Sequence, residues 1–364
     1  MLRNDVYWME EALKEGEKAR FIAAPNPSVG CVLVKDGVEI ARGHTQAPGS
    51  NHAEIEAIEA AYRAGITPVG ATAYVTLEPC SHQGRTPPCA KRLVKEGISR
   101  VVYAVEDPNP LVKGAGGRIL REARIDVLSG VCEEEARIAH AGFFSRIQRG
   151  RPWVRLKSAI SLDGRTALTN GVSQWITSEA AREDGHKFRA RAQALLTGIG
   201  TVLADDPEMN VRLAGKWPTP VKFVLDPEAK TPPTAKILRG AKTTLFVSDS
   251  VEKERTESLE KAGAEIFRLK TDAAGHFSLM EVLEEIGRRD VNELHLEAGA
   301  NLSGEFLKAG LVDELLLYVA PILLGDGMPL AKLPMRESLE GITHWKFVSA
   351  KHIGRDVRFT LFKD

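Results

Sequence analysis

The sequence predicts an α/β protein built of two layered domains, and three observations carry that expectation. Short apolar, strand-like runs alternate with helical stretches along the chain, beginning with 29–34, 52–65 and 71–77. At 364 residues the chain is long for a single hydrophobic core. The alternation breaks at Gly150-Arg151-Pro152 and restarts with a strand over 153–160, which sets the expected boundary near residue 148.

Taken in order, Asn4 or Asp5 caps a first helix that carries Val6, Met9 and Leu13 on one face. Residues 29–34 read as a strand, Asp36-Gly37 as a tight hairpin turn, and 38–42 as the antiparallel partner. A helix then opens at His52, turns Ile55, Ile58 and Tyr62 inward and ends at Gly65. The strand 71–77 precedes a helix with Pro88 near its start and Gly97 past its end. Strands 100–105 and 125–128, a helix near 117–123 between them and a last helix over 133–149 complete a domain with a central sheet. In the second half a helix starts at Ser178, with strands at 194–196, 221–225, 243–247 and 293–296 and helices between; 315–320 and 358–362 are apolar strands. There is no internal repeat and no low-complexity segment.

Composition narrows the function. The 49 basic side chains balance 49 acidic ones, which argues against a protein that grips nucleic acid through its phosphates. No apolar run approaches a membrane span, and residues 1–20 lack the apolar centre of a signal peptide. Four cysteines do not make a disulfide framework, so the expected location is a reducing cytoplasm.

Chemistry concentrates between His52 and Cys89. One imidazole, His52, and two thiolates, Cys80 and Cys89, can fill three positions of a tetrahedral zinc site and leave the fourth to water, the arrangement of catalytic zinc. Glu54, two residues after His52, is placed to take a proton from that water and pass it to a leaving amine. His-x-Glu with Pro-Cys-x-x-Cys marks the zinc nucleobase deaminases, yet here eight residues rather than two separate the cysteines. Two alternatives stay open at this point. A nucleic-acid deaminase would share His-x-Glu, and a zinc-stabilised binding module would leave Glu54 unused. Cys31 and Cys132 read as buried thiols.

A second site is suggested where the strand 293–296 runs through Glu297 into Ala298-Gly299-Ala300-Asn301-Leu302-Ser303-Gly304-Glu305. Small residues at a helix start let a phosphate approach the backbone N–H groups. Residues 194–196 deliver another glycine-rich loop, Thr197-Gly198-Ile199-Gly200-Thr201, and two such loops can hold a dinucleotide across a sheet. Asp163, Ser173, Trp175, Arg189 and Arg212 lie near in sequence, although each alone reads more readily as a surface pair or a satisfied cap.

The motifs Pro25-Asn26-Pro27-Ser28-Val29-Gly30, His52-Ala53-Glu54, Glu78-Pro79-Cys80-Ser81-His82-Gln83-Gly84-Arg85-Thr86-Pro87-Pro88-Cys89 and Asp107-Pro108-Asn109-Pro110 resemble the bifunctional deaminase/reductase family of riboflavin biosynthesis. So do Ser161-Leu162-Asp163-Gly164-Arg165, Ser173-Gln174-Trp175-Ile176-Thr177, Leu203-Ala204-Asp205-Asp206-Pro207 and Glu297-Ala298-Gly299. The resemblance spans nearly the whole chain and accounts for the long cysteine spacing. It implies a cytidine-deaminase-like three-layer α/β/α domain over 1–148 and a dihydrofolate-reductase-like α/β domain over 149–364. The implied reactions are zinc-dependent deamination of 2,5-diamino-6-(5-phosphoribosylamino)pyrimidin-4-one, then NADPH-dependent reduction to 5-amino-6-(5-phosphoribitylamino)uracil.

Carried over by position, the zinc ligands are His52, Cys80 and Cys89 and the proton carrier is Glu54. The deaminase pocket would use Asn26, His44, His82, Arg85, Asp107 and Asn109. NADPH would meet Ala159, Trp175, Thr201, Asp205, Gly299, Ala300, Asn301, Leu302, Ser303, Gly304 and Glu305, and the reductase substrate would meet Ser173, Arg189, Met209, Arg212 and Glu297. Arg85, Arg189 and Arg212 suit a phosphate partner chemically. No residue presents itself as the proton donor of the hydride step. The implied partners are a small phosphorylated pyrimidine and a second copy of the chain, a dimer joined through the reductase half, with no nucleic acid and no membrane.

Overall fold

In the computed structural model, which describes residues 4–81, 87–110 and 112–364, the Asn4 side chain accepts the Tyr7 N–H at 3.0 Å and starts helix α1 (Asp5–Gly16). The chain divides into two compact units, Met1–Gly150 and Arg151–Asp364.

In the first unit, β1 (Gly30–Lys35) and β2 (Val38–His44) form a hairpin through Asp36 and Gly37, both at positive φ (53° and 74°) as such a turn requires. Helix α2 (Ala53–Arg63), β3 (Thr72–Val75), α3 (Cys89–Lys95), β4 (Arg100–Tyr103), α4 (Ala115–Glu122) and β5 (Asp126–Ser129) follow. The sheet order is β2-β1-β3-β4-β5, antiparallel on the hairpin side and parallel from β3 to β5. Two glycines show how closely helices cover both faces. A Cβ on Gly30 would stand 1.9 Å from the Ala12 carbonyl oxygen of α1, and one on Gly43 would stand 2.4 Å from the Ala57 nitrogen of α2. Gly30 pairs with His44 and Gly43 with Cys31, so neighbouring residues of β2 face different helices.

Some local expectations give way to packing. Val6 and Tyr62 are exposed rather than inward, the Tyr62 hydroxyl donating to Glu96. The helix expected over 133–149 is two, α5 (Glu133–Ala139) and α6 (Ala141–Arg149), broken at His140, whose buried ring meets Thr76 Oγ1 at 3.1 Å. Cys31 is buried, but Cys132 sits half-buried at a left-handed position (φ 58°) beside α5.

The second unit runs β6 (Trp153–Ser161), β7 (Arg165–Leu168), α7 (Glu179–Arg191), β8 (Ala194–Gly198), α8 (Ile199–Asp205), β9 (Val221–Leu225), β10 (Thr243–Ser248), α9 (Lys253–Lys261), β11 (Ala264–Leu269) and α10 (Leu279–Arg288). It continues with β12 (Glu293–Leu296), α11 (Ala300–Lys308), β13 (Glu314–Ala320), β14 (Gly327–Pro329), β15 (Trp345–Ile353) and β16 (Asp356–Lys363). The main sheet has the order β11-β10-β9-β8-β12-β6-β13-β16-β15, parallel as far as β13 and antiparallel at the last two strands. β7 and β14 pair separately.

Strand alternation gives the centre of this sheet two different faces. Val154 and Leu156 of β6 and Leu294 and Leu296 of β12 join one apolar core. Arg155 and Lys157, Glu293 and His295 leave the opposite face. Arg155, fully buried, donates to Glu314 Oε1 and Glu293 Oε2 at 2.8 Å each, which compensates a charge the interior would otherwise exclude.

Candidate active sites

In the first unit three segments meet at His52, Cys80 and Cys89. His52 is the residue before α2, so Glu54 falls in that helix's first turn. Glu78 pins the turn that carries Cys80, since its buried carboxylate accepts the N–H groups of Asp107 (3.3 Å), Gly114 (2.9 Å) and Gly117 (3.0 Å). Cys89 begins α3, and its N–H donates to Cys80 Sγ at 3.3 Å. His52 Nδ1 then lies 3.6 Å from Cys80 Sγ and 3.4 Å from Cys89 Sγ. Tetrahedral zinc with bonds of about 2.0–2.1 Å to nitrogen and about 2.3 Å to sulfur separates such atoms by roughly 3.5 Å. The triangle therefore fits zinc with one position left over.

Glu54 is buried next to this triangle. Burial and then the Cys80 sulfur push its carboxyl up to about 7, where it can both take and give a proton near neutrality. Asp107 is held close by, its N–H on Glu78 and its carboxylate accepting the Asn109 N–H at 2.8 Å. Asn26 lies in the loop before β1. His82 and Arg85 lie outside the described residues. His44 is held by α1. It shares the α1 face with Gly30, its Nδ1 sits 2.8 Å from the buried Glu15 carboxylate, and the helix bearing His52 and Glu54 packs on the other face.

In the second unit a cleft of about 1240 Å³ opens at the carboxyl ends of the parallel strands. It brings together Ala159, Ser173, Arg189, Thr201, Asp205, Met209, Glu297, Gly299, Ala300, Asn301, Leu302 and Glu305. The starts of α8 and α11 converge there, because a Cβ on Gly198 would come within 3.2 Å of the Leu302 side chain. Two convergent helix starts suit the pyrophosphate of a dinucleotide, and the cleft is large enough for one. Four further expected residues are not part of the cleft lining. Trp175 is exposed under the Arg182 guanidinium, 4.2 Å from its ring; the Ser303 hydroxyl turns back to the Ala298 carbonyl at 3.2 Å. Gly304 packs on the Lys332 backbone, and Arg212 bonds Asn210 Oδ1 at 2.8 Å, neither lining the cleft.

Charge in the cleft is centred on Glu297. Arg189 grips it with both prongs, at 2.5 and 2.8 Å, and gives a third hydrogen bond to the Asn210 carbonyl at 2.9 Å. Burial acts to raise the Glu297 carboxyl, but Arg189 and Lys157 outweigh it and hold it well below the usual carboxylate range. Lys157 also lines the cleft, and burial lowers its own pKa. A single lysine within an apolar strand gave no sequence signal; only its register beside β12 reveals it. The 332–334 segment at the cleft wall was likewise unannounced.

Similarity to known proteins agrees with this geometry. The family model of the RibD C-terminal domain matches residues 152–359, and that of the cytidine and deoxycytidylate deaminase zinc-binding region matches 2–105. The riboflavin biosynthesis protein RibD of Escherichia coli is 42% identical over 97% of this chain and 98% of its own. The chain belongs to the RibD family. The Aquifex aeolicus RibD is 38% identical, with 97% of each chain covered. A solved structure of Acinetobacter baumannii RibD superposes with a TM-score of 0.88 at 39% identity and complete coverage of both chains (100%). A Thermotoga maritima diaminohydroxyphosphoribosylaminopyrimidine deaminase/5-amino-6-(5-phosphoribosylamino)uracil reductase gives 0.86 at 31%, covering 99% of each. This RibD family member is a bifunctional enzyme of riboflavin biosynthesis, with a zinc-dependent deaminase and an NADPH-dependent reductase. Its folds are the cytidine-deaminase-like and RibD reductase α/β types. Among the described residues no helix is long and apolar enough to cross a membrane.

Proposed function

We propose that residues 1–148 deaminate 2,5-diamino-6-(5-phosphoribosylamino)pyrimidin-4-one and that residues 149–364 reduce the product to 5-amino-6-(5-phosphoribitylamino)uracil. The observation that carries this reading is the triangle of His52, Cys80 and Cys89 with buried Glu54 beside it. The name of the Thermotoga relative supports the choice of substrate.

His52, Cys80 and Cys89 would hold a zinc ion, which would supply the Lewis acid for activating water. Glu54 moves the protons, taking one from the water whose oxygen bonds the ring carbon and delivering it to the amino group as the C–N bond breaks, so that the oxygen stays as the ring carbonyl and ammonia leaves. Asp107 and Asn109 border the ring on the Glu78 side. The cleft would hold NADPH, which would supply a hydride for the ring-opened sugar carbon. The Gly299 to Asn301 turn and the Gly198 to Thr201 loop hold the cofactor phosphates. Lys157, half-buried and without an ion pair among the described residues, gives the proton, while Glu297 orients the sugar. Lys157 and Arg189 face Glu297 together, and this pair of cations against one carboxylate attracts the substrate phosphate. The enzyme works in the cytoplasm as a homodimer.

The decisive experiment supplies the diamino-pyrimidine phosphate to zinc-loaded protein and follows ammonia and NADPH absorbance in one cuvette. Ammonia release followed by NADPH loss is expected. NADPH loss without ammonia, or neither signal, would overturn the reading.

A further inference from the structure

Strand β12 carries a second polar residue on the cleft side of the sheet. His295 precedes Glu297 by two residues, so both leave the face opposite Leu294 and Leu296. Its ring is wholly buried. In register it stands beside Arg155, whose guanidinium is already committed to Glu293 and Glu314. His295 Nε2 lies 3.2 Å from Glu297 Oε1, the same oxygen that Arg189 Nε holds from α7. Neither ring nitrogen completes an aligned hydrogen bond among the described residues, so Nε2 meets Glu297 at contact distance with its alignment still open.

We infer that His295 is a positioning residue for the reduction, holding the Glu297 carboxylate from within the sheet while Arg189 holds it from the helix. The inference rests on the reading that Glu297 meets the reductase substrate. A buried imidazole with no other partner costs the fold stability unless a neighbour uses it. The groups around Glu297 are Arg189 and His186 from α7, Lys157 from β6, Arg212 from the loop after α8, and His295 itself. Those around His295 are Arg155, Arg189 and Glu297. Burial keeps the imidazole neutral, so it serves as an N–H donor and adds no further cation. Without that donor the carboxylate is free to turn toward the Lys157 ammonium, which would occupy both groups with each other.

The test compares His295→Leu, His295→Gln and Glu297→Gln in full-length, zinc-loaded enzyme. It measures reductase kcat, KM for NADPH and the pH–rate profile, with ammonia release as the control for intact protein. His295→Leu is expected to lower reductase kcat about tenfold and to leave KM for NADPH within about twofold, as loss of one hydrogen bond to a charged group predicts. Its acid limb should move to higher pH, because a donor that favours the charged carboxylate is gone. His295→Gln, whose amide can donate, should recover most of the rate. Wild-type kcat and profile in His295→Leu, or equal losses in the Leu and Gln variants, would reduce the ring to packing. Should His295→Leu fail to fold, His295→Asn, too short to reach, takes its place under the same criteria. Full reduction by Glu297→Gln would instead remove the reading of Glu297 on which the inference stands.

Discussion

The backbone N–H of Cys89 donates to the sulfur of Cys80 at 3.3 Å, so the two thiols are tied together by the protein itself. With Glu78 fastening the preceding turn through three backbone N–H groups, the metal triangle is assembled by hydrogen bonds. Stripping zinc with a chelator should therefore abolish ammonia release while leaving far-UV circular dichroism and reductase activity close to those of the loaded enzyme. A structural zinc site behaves otherwise, unfolding its domain when emptied. Collapse of the spectrum on chelation would contradict this account.

Glu54→Gln preserves the size of the side chain and its place on α2 but removes its proton chemistry. Zinc content should stay near one ion per chain by metal analysis, and deamination should fall by about 10²–10⁴-fold. Reduction of supplied deaminated intermediate should continue. An ammonia rate near that of wild type would mean another group carries the proton.

Acid should destabilise the first unit through His140. Its imidazole is fully buried, and desolvation followed by repulsion from Arg20 lowers its pKa from 6.5 to about 4. The unfolded chain thus binds a proton that the folded chain refuses between these values. Stability is whole above pH 6.5 and is lost as pH falls toward 4, by ~3 kcal/mol from this group. Urea unfolding across that range should show the slope, and His140→Gln should flatten it by close to one proton.

Gly304 is where α11 meets the 332–334 segment. A Cβ there would stand 2.2 Å from the Lys332 carbonyl oxygen, and the Lys332 N–H bonds the Ala300 carbonyl at 2.8 Å. Gly304→Ala should push that wall from the cleft and raise KM for NADPH about tenfold, since misplacement of binding groups by an ångström is costly. Deamination should be untouched. An unchanged KM would show that the wall does not shape cofactor binding.

Much of this was legible in the sequence for identifiable reasons. His52, Glu54, Cys80 and Cys89 are few in kind and bound by spacing, so chemistry alone drew them together. The hairpin at Asp36-Gly37 and the parallel strands 194–196, 221–225 and 293–296 declared themselves through turn residues and apolar runs. What stayed hidden depends on pairing between distant strands. Lys157 acquires meaning only on the strand beside β12, and the hold of Glu15 on His44 appears only once register is fixed. Strand β15 has mostly exposed side chains at the sheet edge, so hydrophobicity never marked it. The break at His140 came from burial of its ring, which no propensity reports.

The two-faced centre of the second sheet makes parity a hidden safeguard. Odd-numbered residues 155, 157, 293, 295 and 297 hold the polar, ionisable groups, whereas their even neighbours fill the oil. Deleting or inserting one residue in β12 would be no small shift of position: it would send Glu297 toward the apolar core and a leucine toward the hydride path. Length changes in this enzyme are therefore tolerable in its loops and forbidden in its middle strands, whatever residue is added.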